Sequence, residues 1–318
     1  MTIKIGLWGS NGHQIHGLIK GYSNVTPVAY GKFNEQAEQS LLTDYPAIKP
    51  CKTYEEFLNI PELQLISLCS PLRSTQADQA IMALERGISV YAEKPCATTE
   101  ADLDRIISAA AKSDAVFHEM AGTVFEQPYW EVARQIQAGV IGEVIQVFAQ
   151  KSYPMHPGRP FCEDVDGGLV MQNGVHAMRF VEHLTGLRAE TISAIQTGLG
   201  ENRPDSDLKM AAGAMGRLEN GGIFSIIMNY LNQPGVGRWG NEEVRVFGSE
   251  GFIESIDAGG RVQMVIGENK PVSLNTAEEA PSWFEYVLED VTGTGQFPYD
   301  LEKELHPTRM VIRARNEI

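Results

Sequence analysis

Apolar segments alternate with helix-like segments through the first 120 residues, and this alternation restricts the fold more than any other feature. The segment Leu63–Ser70 is nearly continuously apolar, as a strand buried on both faces of a parallel sheet must be. The next segment, Ser74–Gly87, places its apolar residues on one helical face and ends in glycine. This alternation predicts a parallel sheet wound on both faces. The predicted strands are Ile3–Trp8, Val25–Tyr30, Leu63–Ser70, Ile88–Tyr91 and Ala115–Met120.

Beyond Gly122 the pattern changes. A predicted helix over about residues 169–184 precedes a long series of strand-like segments, with hairpin signals at Asn220–Gly221 and Gly259–Gly260. Successive strands joined in this way predict an antiparallel sheet, and a length of 318 residues suits two domains. We therefore predict an α/β chain with a doubly wound parallel sheet in residues 1–121 and an α+β domain with a mostly antiparallel sheet in residues 122–318.

Composition excludes two classes of partner. With 26 Lys and Arg against 41 Asp and Glu, the net charge of −15 is unsuited to binding nucleic acid or an anionic membrane. No apolar run approaches membrane-spanning length, and the N-terminal sequence lacks a signal-peptide pattern. The cysteines are scattered, as expected for thiols in a reducing compartment. We predict a cytoplasmic protein with thiols at Cys51, Cys69, Cys96 and Cys162.

A glycine-rich turn follows the first predicted strand, where dinucleotide-binding folds present backbone amides to a pyrophosphate. Gly9 takes the first position of a G-x-G-x-x-G motif, but Asn11 takes the second and Gln14 the third. We expect a helix to follow as far as Tyr22, packed more loosely because of Gln14. A plain tight turn is the alternative, but the position after the first strand favours a cofactor site. Its predicted members are Gly9, Ser10, Asn11, Gly12 and His13.

The second predicted strand ends without the acid that binds a ribose 2′-hydroxyl in many dinucleotide-binding domains. Gly31 stands at that place and Lys32 follows. Because no carboxylate repels a 2′-phosphate and Lys32 could pair with one, we predict NADP or NAD as the cofactor, with NADP slightly favoured. The alternative is that Lys32 is a solvated loop residue and both cofactors bind.

The fourth predicted strand ends in "AEKP", where Glu93 and Lys94 stand before Pro95. One interpretation is that the strand has reached solvent, where charges are common and proline ends pairing. The other is that Lys94 lies at the carboxyl edge of the sheet, where open α/β proteins bind ligands.

The glycine turn, "AEKP" and the segment "GGLVMQNGVHAMRFVEHLTG" together resemble the Gfo/Idh/MocA family of oxidoreductases over essentially the whole chain. The resemblance implies a Rossmann domain followed by a domain with a large open sheet that forms a homodimer or homotetramer. It also implies NAD(P)-dependent oxidation or reduction of a sugar, polyol or related small molecule. A catalytically idle NAD(P)-binding sensor on the same fold, and an NAD-dependent glycoside-cleaving relative, are the alternatives.

By position in the family, the catalytic residues are Lys94 and His176. Histidine titrates near neutral pH, so His176 is assigned as the general acid/base and Lys94 as the cation that polarises the substrate oxygen. Gln172 stands where the family has an aspartate, so it can orient a substrate hydroxyl but not share a proton. A core histidine and a solvated lysine are the alternatives. Four further cofactor-binding residues are predicted, namely Ser70, Pro71, Glu93 and Lys94. Leu72 and Thr75 replace the family's Asn and His after the third strand.

Weaker candidates for site residues lie between "AEKP" and "GGLVMQNGVHAMRFVEHLTG" or at the start of the latter. Tyr153, Arg159 and Asp164 are predicted to contact substrate with Gln172, although a solvated loop is equally compatible with their positions. The segment "CEDVD" with His156 and His176 could suggest a metal, but loop acids before a helix are usually caps, so we predict none. His118 is a further candidate for the cofactor edge. Finally, we predict a cis Lys94–Pro95 bond that lets Lys94 and His176 face one cleft.

Overall fold

Six parallel strands form the first sheet of the computed structural model, which describes residues 2–156 and 158–318. These strands are β1 (Ile3–Trp8), β2 (Val25–Gly31), β3 (Lys49–Pro50), β4 (Leu65–Leu68), β5 (Ser89–Glu93) and β6 (Phe117–Met120). Their spatial order is β3-β2-β1-β4-β5-β6, so the order reverses between β1 and β4. Ligands bind at such a reversal, outside the carboxyl ends of the strands. The predicted parallel sheet is confirmed.

Three of the four helices in this part of the chain begin at side-chain caps. The Asn34 side chain accepts a hydrogen bond from the Ala37 amide, and the Thr99 side chain accepts one from the Asp102 amide. Such caps satisfy amides that have no partner inside the helix. The helices of this part of the chain are α1 (Glu35–Asp44), α2 (Tyr54–Leu58), α3 (Gln76–Leu84) and α4 (Glu100–Ala110).

The helix predicted between the glycine turn and Tyr22 is wrong. Residues 9–24 contain only a short 3₁₀ helix, Leu18–Gly21. The Gln14 side chain donates to the Gly9 carbonyl at 2.8 Å and accepts from the Ser67 hydroxyl at 2.5 Å, so it fixes the backbone in a turn. Side-chain bonds of this kind compete with helix formation, and the segment also contains several glycines, which disfavour it.

Eight strands form the second sheet, in the spatial order β14-β13-β12-β11-β7-β10-β9-β8. Only β7 and β10 pair in parallel; the other neighbours are antiparallel. This agrees with the predicted, mostly antiparallel sheet. The strands are β7 (Val144–Ser152), β8 (Ala189–Thr197), β9 (Ala211–Leu218), β10 (Ile223–Asn229), β11 (Asn241–Gly248), β12 (Gly251–Ile256), β13 (Arg261–Ile266) and β14 (Val272–Ser273).

Helix α6 (Gly168–Thr185) lies against β7 and β10 on one face of the second sheet and is buried from Gly168 to Leu184. At Gly174 an added Cβ would lie 2.8 Å from the Val311 side chain, so glycine permits the close approach of the C-terminal helix. The opposite face of the sheet exposes apolar side chains. The remaining helices are α5 (Tyr129–Gln137), α7 (Trp283–Thr292) and α8 (Leu301–Asn316).

The described residues divide into two compact units. The first unit contains residues 2–120, Asp164–Asp166 and Phe284–Leu305, and the second contains residues 121–156 and 158–163, Gly167–Trp283 and His306–Ile318. Within the described part of the chain, no helix is both long enough and apolar enough to span a membrane.

Candidate active site

The carboxyl end of β5 is buried. Glu93, Lys94 and the residues that follow as far as Ala97 are all inaccessible, and Lys94 is only 2% exposed. The interpretation of "AEKP" as a strand end in solvent is therefore wrong. The Lys94–Pro95 bond is cis, so this prediction is confirmed. A buried lysine at the ligand-binding edge of a parallel sheet is the first element of the candidate site.

Glu93 connects the end of β5 to the glycine turn. Its carboxylate accepts hydrogen bonds from the His13 amide at 2.8 Å and from the His13 ring at 3.0 Å, and lies 4.0 Å from the Lys94 ammonium. Burial opposes the charged form, but His13, Lys94 and Arg73 lower the pKa of Glu93 to about 2. Glu93 is therefore an anion that contacts both the lysine and the turn.

Gln76, at the start of α3, holds the ends of β4 and β5 together. Its amide oxygen accepts from the Ser70 amide at 3.2 Å and from Arg73 at 2.6 Å. Its amide nitrogen donates to the carbonyls of Glu93, at 2.6 Å, and Pro95, at 3.2 Å. Arg73 also donates to the Asn11 carbonyl at 3.0 Å. No sequence motif marks the long-range contacts of Gln76 and Arg73, so these two residues could not be predicted from sequence.

The backbone of the glycine turn suits a diphosphate. Gly9 and Gly12 have φ angles of +77° and +117°, and a Cβ on Gly9 would lie 1.9 Å from the Cys69 carbonyl oxygen. The Asn11 amide donates to Cys69 and the His13 amide to Glu93. No described residue accepts a hydrogen bond from the amides of Ser10 or Gly12. These two amides could bind phosphate oxygens, so the turn fits a nicotinamide dinucleotide without a helix N-terminus.

Steric contact explains why no acid stands at the end of β2. A Cβ on Gly31 would lie 2.3 Å from the Trp8 indole, so a side chain would require the core to move. Lys32 has a φ of +57° and is exposed. The Ser10 hydroxyl accepts from the Asn34 amide at 2.9 Å, which ties the loop after β2 to the glycine turn. Lys32 is therefore an accessible cation on a loop that contacts the turn.

Ser70 and Pro71 make structural contacts in the first unit. The Ser70 hydroxyl donates to Gln79 at 2.6 Å, and the Pro71 carbonyl accepts from the Asn11 side chain at 3.2 Å. Asp164 is exposed in the short segment Asp164–Asp166, which also belongs to this unit. Its neighbour Val165 accepts from the Arg73 amide at 3.1 Å. The roles predicted for Ser70, Pro71 and Asp164 remain predictions.

His176 lies on α6 in the second unit and is largely buried. Its Nδ1 atom is 2.7 Å from the Thr123 hydroxyl, a hydrogen bond that orients the ring. Gln172 is buried one helical turn earlier, so it lies on the same helix face. The ring of Tyr153 meets the His176 ring edge to face, with centroids 6.5 Å apart. Thr123 was not found by sequence analysis, since a single threonine carries no signal.

Lys151 is a buried cation beside Tyr153. It pairs with Glu242, and its ammonium lies 4.9 Å from the centroid of the Tyr153 ring. Burial would lower the pKa of Lys151, but Tyr153 and Glu242 outweigh it and raise the pKa. Lys151 stays cationic. The sequence does not predict this burial, because the side chains of an alternating strand point to solvent as often as into a core.

Arg159 stacks on an aromatic ring in the same unit. Its guanidinium lies 3.8 Å from the centroid of the Tyr230 ring. His156 and Tyr153 both contact the ring of Trp239, at centroid distances of 5.3 and 6.2 Å. Tyr153 and Arg159 were predicted to contact substrate, whereas Tyr230 and Trp239 were not considered.

One of the acids that suggested a metal, Glu163, has other partners. The Glu163 carboxylate pairs with Arg315 at 2.9 Å, and the Glu163 backbone amide donates to the Asp207 carboxylate at 2.8 Å. Throughout residues 2–156 and 158–318, no group of three or more His, Cys, Asp or Glu side chains is arranged to hold a metal ion.

The first unit thus has the architecture of a dinucleotide-binding domain. The model of the NAD-binding Rossmann fold of the oxidoreductase family GFO/IDH/MocA matches residues 13–120, and the model of the GFO/IDH/MocA C-terminal domain matches residues 129–254. The chain belongs to the GFO/IDH/MocA family of oxidoreductases.

Three known proteins illustrate the similarity. Trans-1,2-dihydrobenzene-1,2-diol dehydrogenase of Xenopus laevis is 26% identical over 45% of this chain and 43% of its own length. Myo-inositol 2-dehydrogenase of Thermotoga maritima is 22% identical over 64% of this chain and 60% of its own length. A Thermotoga maritima structure described as an oxidoreductase superposes with a TM-score of 0.90 at 24% identity, covering 99% of this chain and 97% of the other. The chain thus matches about half the length of these two curated relatives, and the structural likeness shows the fold.

Proposed function

We propose that this protein is an NAD(P)-dependent oxidoreductase that transfers hydride between a nicotinamide cofactor and a carbon bearing a hydroxyl in a sugar or polyol. The observation that carries the proposal is Lys94, 2% exposed at the carboxyl end of β5 and linked through Glu93 to the glycine turn. Family membership supports the reaction type. The names of the two curated relatives specify rings with neighbouring hydroxyls, an inositol and a dihydrodiol.

Each proposed residue has a chemical task. When bound, the nicotinamide supplies the acceptor or donor of hydride. His176 takes the proton from the substrate hydroxyl during oxidation and returns it during reduction, because imidazole exchanges protons near neutral pH. Lys94 places a positive charge near the oxygen on which negative charge develops. Gln172 contributes an amide that orients a hydroxyl without ionising.

The Ser10 and Gly12 amides are proposed to bind the diphosphate. Lys32 is proposed to pair with the 2′-phosphate, so NADP(H) is expected to bind at least as tightly as NAD(H). Fluorescence titration of both cofactors tests this, with Lys32→Ala expected to weaken NADP(H) selectively. Lys112→Ala, which changes another exposed lysine of the first unit, is the matched control. A clear preference for NAD(H) that Lys32→Ala leaves unchanged would contradict the assignment.

The central experiment combines nucleotide identification with turnover. Mass spectrometry of the purified protein identifies retained nucleotide, and absorbance at 340 nm follows turnover with a panel of sugars and polyols. His176→Asn should lower turnover by a factor of about 10² or more while nucleotide affinity is kept. Lys94→Ala should impair turnover and substrate binding together. Near-normal turnover in either variant would refute the assigned roles, and nucleotide binding without turnover of any panel member would favour the sensor alternative.

A homo-oligomer formed through the open face of the second sheet is proposed as the assembly. The exposed apolar residues of β8, β9 and β10 support it. A cytoplasmic location is likewise proposed, supported by four cysteine thiols, three of which are buried.

A further inference from the structure

Arg159 is a cation without an acidic partner. No Asp or Glu among the described residues lies within salt-bridge distance of its guanidinium, and its Nε atom is buried without a hydrogen-bond partner. The guanidinium instead lies 3.8 Å from the centroid of the Tyr230 ring. Stacking on an aromatic ring fixes the plane of an arginine and leaves its N–H edge for a planar or tetrahedral anion.

The neighbourhood of Arg159 is positive although the chain carries a net charge of −15. Burial lowers the pKa of His156, and the positive charges of Arg159 and Arg203 lower it further, so these three groups are close together. Arg203 donates to the Arg159 carbonyl at 2.9 Å and is itself paired with Glu201 at 2.8 Å. Glu201 therefore neutralises Arg203, and the charge of Arg159 remains uncompensated.

An aromatic surface adjoins this charge. Trp239 is 55% exposed, and its ring contacts His156 and Tyr153. The Asn232 side chain donates to the carbonyls of Arg238, at 3.1 Å, and Trp239, at 2.9 Å, so the loop that carries the indole is held in place. Tyr153 in turn contacts His176. An exposed aromatic ring with a few oriented polar groups is typical of a site for a small organic molecule.

We propose that Tyr153, His156, Arg159 and Trp239, the acid-recognition cluster, bind a sugar that carries an acidic group. Trp239 contacts the apolar face of the sugar ring, and Arg159 binds a carboxylate or phosphate through charge-assisted hydrogen bonds. This inference rests on the proposed function, because it specifies the substrate class of the same site. It predicts that sugar acids or sugar phosphates are preferred to neutral sugars.

The test measures binding by isothermal titration calorimetry with the full chain. The probes are D-glucose, D-galactose and D-mannose, each with its uronate and its 6-phosphate. At least one acidic probe should bind about 10-fold or more tightly than its neutral parent. Arg159→Gln should weaken that probe by about 10- to 100-fold and leave the neutral parent unchanged. Arg159→Lys should keep part of the preference, and Trp239→Ala should weaken acidic and neutral probes equally.

Controls separate the cluster from general electrostatics and from misfolding. Arg261→Gln, which removes an exposed arginine of β13, should change nothing. In the wild-type protein, inorganic phosphate should compete with the acidic probe and not with its neutral parent, a result that does not depend on any variant folding. Comparing the uronate probes with the 6-phosphate probes shows whether the cluster prefers a carboxylate or a phosphate.

Three outcomes are decisive. If no acidic probe binds more tightly than its neutral parent, the inference is overturned. Turnover at 340 nm is measured with the same probes, and turnover without a preference for acids would overturn the inference while the proposed function stands. An acid preference lost in Arg159→Gln, without turnover of any probe, would support the cluster and count against the proposed function.

Discussion

At the residue scale, a hydroxyl fixes the orientation of His176. Thr123 is buried in the short segment after β6, and its Oγ1 atom lies 2.7 Å from Nδ1 of His176. A bond to one ring nitrogen limits rotation of the imidazole and determines how the other nitrogen, Nε2, can exchange a proton. Thr123 is therefore a positioning residue for the proposed acid/base.

Replacing this hydroxyl with a methyl group tests the assignment. Thr123→Val should lower kcat by about 10-fold and shift the pH dependence of kcat, because the imidazole loses its hydrogen bond in a buried site. KM should change little. Thr123→Ser keeps the hydroxyl and should retain most of the activity. A pH profile of Thr123→Val that coincides with that of the wild type would show that the hydrogen bond only stabilises the fold.

At the element scale, the carboxyl end of β5 is held by hydrogen bonds from α3. Gln76 is completely buried and uses both atoms of its side-chain amide to bond β4, β5 and Arg73. Hydrogen bonds inside a protein contribute little when they replace bonds to water, but a buried group left without a partner is costly. The position of Lys94 therefore depends on Gln76.

Gln76→Leu should lower the free energy of unfolding by roughly 2 to 4 kcal/mol, because it leaves buried groups of Ser70, Arg73 and Glu93 without a partner. Gln79→Leu is the matched control, since the Gln79 side chain accepts one bond, from the Ser70 hydroxyl. Gln79→Leu should lower the free energy of unfolding by about 1 kcal/mol. Urea unfolding followed by circular dichroism measures both values. Equal losses in the two variants would contradict a special role for Gln76.

Local sequence signals were sufficient to predict the strands and helices that show a hydrophobic period or a helix cap. Helix α4 begins at its Thr99 cap, and the strand pattern gave the parallel sheet. The segment after Gly9 could not be predicted in this way, because its shape depends on bonds between Gln14 and Ser67, which lies on β4. Likewise, the sequence indicated Lys94 through a motif, whereas the partners of Lys94 and His176 come from distant positions with no pattern of their own.

Strand β6 is bonded to the end of the first unit through His118. Its Nδ1 atom lies 2.8 Å from the Glu304 carboxylate and its Nε2 atom lies 3.0 Å from the Asp290 carboxylate. The ring of Phe297 stacks on the imidazole with the two ring centroids 3.9 Å apart. Burial would lower the pKa of His118, but the two carboxylates raise it to about 9. His118, predicted as a candidate for the cofactor edge, is thus an imidazolium in a buried ion pair.

This pair makes stability depend on pH. Because the folded pKa of about 9 lies above the ordinary value of 6.5, the stabilisation is complete below pH 6.5 and is lost as pH rises through about 9. The loss should be on the order of 3 kcal/mol. His118→Gln should therefore destabilise the protein more at pH 6 than at pH 10, as measured by urea unfolding. Phe117→Leu changes a buried side chain of the same strand that does not titrate, so its cost should be equal at both pH values.

At the scale of the whole molecule, one face of the second sheet is unusually apolar for a protein surface. Ile195, Met215, Ile223 and Ile227 are 77, 61, 47 and 40% exposed, and all lie on neighbouring strands. Ile195 and Ile227 both pair with Gly213, so they flank it on the same face. Contiguous apolar patches of this kind mark interfaces. A second copy of the chain offers the same face, and two such sheets can pack against each other.

A charge on this face should prevent that association. The wild-type protein should have a mass of two or four times 35.0 kDa by light scattering after gel filtration. Met215→Asp with Ile227→Asp should shift the mass to that of one chain or halve it, since the buried carboxylates would have no partner in the interface. Met82→Asp places the same charge on an exposed methionine of α3 and should leave the mass unchanged. Circular dichroism establishes that the double variant is folded. A wild-type mass of one chain would refute the assembly, and an unchanged mass in the folded double variant would place the interface elsewhere.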